Sequence, residues 1–171
     1  MKHKIPIIAV IIVLILASFG SGIYTAPMLN AEVFPAVAEA GELPTAGLVP
    51  VNVSIEGASV SLTHECRTIQ FDVTEDQAFA IAHGIDGTVT ARPLTQDVFK
   101  DVLENFGIAA SQIKIDRFED DIYKARMFLV QGNKTLEIDL RPSDSIALAT
   151  RMGKTLYVDE GVMNSKSVKT C

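Results

Sequence analysis

The residues of this chain best suited to chemistry fall in two blocks. One is Arg141-Pro142-Ser143-Asp144-Ser145-Ile146-Ala147-Leu148-Ala149, directly after Leu136-Glu137-Ile138-Asp139-Leu140. The other is Arg92-Pro93-Leu94-Thr95-Gln96-Asp97. Arg92 and Arg141 each precede a proline, so each has an extended backbone and projects from a strand-to-turn junction. Two guanidinium groups placed this way could clamp a phosphate bidentately. If Asp97, Asp139 and Asp144 converge, their oxygens could hold Mg²⁺ or Mn²⁺. Such an ion activates water and neutralises a phosphodiester's charge during hydrolysis. The same residues also have a plain structural reading. Asp97 and Asp144 suit the positive end of a helix, for roughly 0.3–1 kcal/mol each. Ser143 can cap the free N–H groups of a helix start. Arg92 and Arg141 can form ion pairs with Asp97 and Asp144.

These groups need elements to position them. Leu136–Leu140 reads as a strand, and the following nonamer as a turn into a helix that admits Pro142 in its first turn. An echo lies 67 residues upstream: Ile69-Gln70-Phe71-Asp72-Val73 matches the strand, and Gln77-Ala78-Phe79-Ala80-Ile81-Ala82 matches Asp144–Ala149. A strand-helix duplication would explain it. Val49–Ile55 alternates as a half-buried strand does, and Val60-Ser61-Leu62 continues it after Gly57. Ser111–Asp116 and Tyr123–Val130 read as strands around an acidic turn, Glu119-Asp120-Asp121. Thr95–Phe106 reads as a helix with one apolar stripe, Val98, Val102, Leu103 and Phe106, beside Phe99. Gly107 ends it. The expected class is α+β: a mostly antiparallel sheet with about three helices.

Residues 48–163 should form the folded domain, with 164–171 as a loose tail. Residues 27–47 hold Pro27, Pro35 and Pro44 with Gly41 and Gly47, and read as a linker. Residues 1–26 open on Lys2 and Lys4 and carry no charge from Ile5 to Ala26. This stretch is expected to be a single-pass membrane anchor, with the N-terminus cytoplasmic and the domain outside. The alternative is a signal sequence cleaved near Gly20-Ser21-Gly22, which would release a secreted domain.

The formal net charge of −6 excludes nucleic-acid binding by bulk charge, so any such chemistry needs a local site. The three histidines, His3, His64 and His83, set up no nucleophile-base arrangement. Cys66 and Cys171 have no metal-ligand spacing and can pair or stay free.

The two blocks resemble the bifunctional nuclease domain, which reads Arg-Pro-(Leu/Met)-Thr-His-Asp and Arg-Pro-Ser-Asp-Ala-Ile-Ala-Leu-Ala at these places. Ala78–Ala82, the strand through Asp139, and Leu156–Val162 are similar too. The resemblance covers about Leu48 to Met163. It implies an α+β domain with DNase and RNase activity and nucleic acid as substrate. Arg92, Thr95, Arg141 and Ser143 would bind phosphate, and Asp97, Asp139 and Asp144 would act in catalysis or on Mg²⁺ or Mn²⁺. No organic cofactor is implied. Two departures stand out: Gln96 replaces the family's His, and Gln77 replaces its Glu before the Ala-rich helix. They support a second expectation, a binding or scaffold module that keeps the fold without catalysis. Exposed sheet edges and an apolar helix face would also allow a homo-oligomer.

Overall fold

The computed structural model describes residues 43–171. The expected anchor and most of the expected linker lie outside the described residues. Among the described residues, no helix is long and apolar enough to cross a membrane.

The chain runs through two similar passages. Strands β1 (Leu48–Glu56), β2 (Ser59–His64) and β3 (Arg67–Asp72) form an antiparallel meander that leads into helix α1 (Glu75–Asp86). Helix α2 (Thr95–Asn105) follows. Then β4 (Ala109–Glu119), β5 (Ile122–Gln131) and β6 (Lys134–Leu140) form a second meander leading into helix α3 (Pro142–Arg151). Strand β7 (Leu156–Asp159), helix α4 (Glu160–Lys166) and strand β8 (Val168–Lys169) complete the fold.

One eight-stranded sheet results, in the order β6-β5-β4-β7-β1-β2-β3-β8. Strand β7 lies between the meanders, antiparallel to β1 and parallel to β4. The fold is therefore mixed α+β with a mostly antiparallel sheet. Among the described residues there are four helices rather than about three, because Asp159 accepts the Val162 N–H and starts the short α4.

The strand pattern follows from alternation. On β5, Ala125, Met127 and Leu129 are buried, and they pair across the sheet with Leu140, Ile138 and Leu136 of β6. These residues share the face on which α3 packs, through Ile146, Ala147, Leu148 and Ala149. Burying a side chain such as Ile146 contributes about 1.5–3 kcal/mol. The β4–β5 turn works because Asp120 and Asp121 both take positive φ, 53° and 60°, as a tight hairpin requires. Helices α1 and α3 pack closely. A methyl group on Gly84 would run into Thr150 Oγ1 and lie 3.1 Å from the Arg151 nitrogen.

Two expectations are corrected here. Residues 164–171 are not a loose tail. They finish α4 and add β8 to β3, and Cys171 forms a disulfide with Cys66. On α2, only Leu103 of the expected stripe is buried. Phe99 packs against the core, while Val98, Val102 and Phe106 face outward. Gly107 follows the helix end at φ 64°.

Candidate active site

Three helices begin in related ways, and the third position of each decides what it can do. In α1, Thr74 is the N-cap. Gln77 donates its N–H to Thr74 Oγ1, and the Gln77 side chain accepts the Thr74 N–H at 3.0 Å. In α2, Asp97 accepts the Leu94 N–H at 2.8 Å. In α3, no side chain caps the start. Ser143 does not cap: it lies inside the first turn and is buried. Asp144 is half-buried, with no hydrogen bond or ion pair among the described residues.

Arg141 is exposed in an extended conformation, φ −67° and ψ 146°, as its Pro142 neighbour dictates. Its guanidinium forms no ion pair with Asp144 or any other described residue. Ser145 N–H bonds back to the Arg141 carbonyl, and Pro142 has no N–H. The Ser143 and Asp144 amides therefore remain as free donors at the positive end of α3. This start gathers a free guanidinium, two amide donors and an uncommitted carboxylate.

The other block is built differently. Asp97 is buried, and its Oδ1 lies 2.7 Å from Arg151 Nε, which is also buried. The contact is an ion pair without hydrogen-bond alignment, because both atoms lack an aligned partner, as does Arg151 Nη2. Asp97 is thus committed to holding α2 against the far end of α3. Arg92 is exposed on the loop before α2 and Thr95 is exposed in the first turn of α2, which this pair anchors; Thr90 Oγ1 donates to the Arg92 carbonyl within the loop. Arg92 does not pair with Asp97.

The two blocks therefore meet opposite ends of one helix. Arg151 lies seven residues beyond Asp144, about 10 Å along the axis. Asp139 lies elsewhere again. It is exposed on β6, opposite Arg126, on the sheet face turned away from α3. Arg126 itself bonds Asp116 and Glu137, and the hydrogen bonds to Glu137 and then Asp116 push its pKa above the ordinary arginine value. Among the described residues, no group of three or more His, Cys, Asp or Glu could hold a metal ion. Asp97, Asp139 and Asp144 thus do not fit the expected three-carboxylate cage for Mg²⁺ or Mn²⁺.

Sequence reasoning missed Arg151. A basic residue in a helix's last turn looks like a complement to the helix dipole. Its partner Asp97 is distant in sequence, so no local signal marked the pair.

The bifunctional nuclease domain model matches residues 62–170, from β2 through β8, and the chain belongs to that family. An uncharacterized protein of Mycobacterium tuberculosis is 30% identical over 97 residues, covering 57% of this chain and 57% of its own length. Bifunctional nuclease 1 of Oryza sativa subsp. japonica is 31% identical over 81 residues, 46% of this chain and 24% of that protein. Bifunctional nuclease 2 of the same plant is 30% identical over 83 residues, 47% and 26%. The chain thus spans little more than half of the mycobacterial relative and about a quarter of the plant proteins.

Proposed function

We propose that this domain hydrolyses phosphodiester bonds in nucleic acid at the amino end of α3. The observation that carries this reading is the uncommitted Asp144 beside the unpaired Arg141, in a family whose plant relatives are named bifunctional nucleases. Arg141 and the free Ser143 and Asp144 amides bind a phosphate oxygen. Asp144 orients the attacking water and accepts its proton as the new P–O bond forms. The leaving oxygen takes a proton from solvent. Ser143 shapes the first turn. Arg92, on the loop before α2, and Thr95, in the first turn of α2, hold a neighbouring stretch of the strand, positioned by Asp97.

The charge-free stretch behind Lys2 and Lys4 supports tethering to a membrane with the domain outside the cytoplasm. The Cys66–Cys171 disulfide supports an oxidising surrounding. The matched strand-helix passages support an internal duplication.

A second reading, a binding module without turnover, is favoured by two commitments. Gln77 is used up in a neutral cap, and Asp97 in an ion pair. One assay separates the two. The full-length protein is incubated with single- and double-stranded DNA and RNA, with Mg²⁺, Mn²⁺ or EDTA, beside Asp144→Ala. Cleavage lost in the variant supports the nuclease. Retained strand binding without cleavage supports the module.

A further inference from the structure

An open cavity of about 630 Å³ lies where α1 and α3 end over β1, β2 and β7. Of the residues in the Arg92–Asp97 and Arg141–Ala149 blocks, only Ala149 borders it. Its volume falls in the range of small-molecule sites. Val51, Ala149 and Leu156 form a buried apolar floor, and Ile85, 44% exposed, forms a wall at the end of α1.

The rim is polar and largely unspent. Asn52, Glu65, Lys154 and Thr155 have no side-chain partner among the described residues. His64 Nδ1 lies 2.8 Å from the Pro50 carbonyl, an acceptor, so Nδ1 carries the proton. Nε2 of the neutral ring is left as an acceptor. Three carbonyls in the last turn of α3 are already taken: Leu148, Ala149 and Thr150 accept from Met152, Lys154 and Gly153. An anion held by Lys154 therefore meets an α3 end whose negative charge is partly taken up.

We propose that this cavity binds a nucleoside monophosphate. The flat base covers the apolar floor against Ile85. Lys154 pairs with the phosphate. Glu65 takes the donors of the base or sugar, and His64 Nε2 accepts from a sugar hydroxyl. The choice of nucleotide over other anionic ring compounds rests on the nuclease reading, because a nucleoside monophosphate is what complete phosphodiester cleavage leaves. The site is separate from Asp144, which starts the helix whose end borders the cavity.

The test is calorimetric titration of the full-length protein with AMP, adenosine and inorganic phosphate. AMP is expected to bind more tightly than either fragment. Lys154→Ala and Ile85→Ser are each expected to weaken AMP about tenfold or more, with the melting temperature of each variant recorded. A 5′-phosphorylated pentanucleotide that displaces AMP marks the ligand as a strand end, and failure to displace marks it as the free nucleotide. Either outcome supports the site. No AMP binding to the unaltered protein, or an affinity in both variants unchanged from that of the unaltered protein, overturns it. Asp144→Ala should keep AMP binding. AMP binding in a protein that cleaves nothing overturns the nuclease reading alone. Cleavage without AMP binding overturns this inference alone.

Discussion

The starts of α1 and α3 hold equivalent places in the two strand-helix passages, and Gln77 and Asp144 stand at the same third helical position. Gln77 folds back and closes a capping box. Asp144 does not, and its carboxylate stays available. Asp97 occupies the third position of α2 and is spent twice, on Leu94 N–H and on Arg151. Three polar side chains in one structural position thus divide into two that hold the fold and one that is free. A side chain already committed in the ground state is poorly placed for chemistry, because using it means breaking a contact the fold relies on. Availability, rather than residue type, separates the candidate site from its look-alikes.

This division can be tested by substitution. Asp97→Ala should cost the most stability, about 3–5 kcal/mol, because it leaves Arg151 buried and unpaired. Urea denaturation reads it, and a loss below 1 kcal/mol would place Asp97 among the free side chains instead. Asp144→Ala should lower cleavage about 10²-fold or more. It should leave stability within about 0.5 kcal/mol, as expected where no native contact is lost. A stability loss as large as that of Asp97→Ala would erase the contrast. Gln77→Ala should cost about 1 kcal/mol, the usual value of a lost cap, with no change in cleavage rate. Gln77→Glu sharpens the point, since it restores a carboxylate at a position already folded onto Thr74. Cleavage should stay at the unaltered rate, and a large gain would show that Gln77 reaches the substrate.

Much of the fold was legible because alternation and turn chemistry are local. The β4–β5 hairpin follows from apolar residues at every second place around Asp120 and Asp121. The position of Asp139 was legible too, had the alternation been carried through. Leu136, Ile138 and Leu140 take the core face, so Glu137 and Asp139 must take the other, away from α3. The outward turn of Val98, Val102 and Phe106 was not legible. Periodicity shows that a helix has an apolar side, but not which part of that side meets a partner. The Asp97–Arg151 pair was hidden for the same reason: tertiary packing alone brings its halves together. The pairing of Cys66 with Cys171 needed the β3–β8 ladder, which two residues of strand could not announce.

That ladder also bears on how the protein behaves among its own copies. A sheet edge with unpaired amides can recruit another strand. Strand β8 occupies part of one edge, beside Arg67 and Thr68, and the disulfide fastens it there. Two residues of pairing would hold weakly alone. The sulfur link thus acts as a latch on a short guard strip. A reducing buffer would unlatch this edge and, because the link closes a loop across a sequence separation of 105, would also lower the stability of the whole domain.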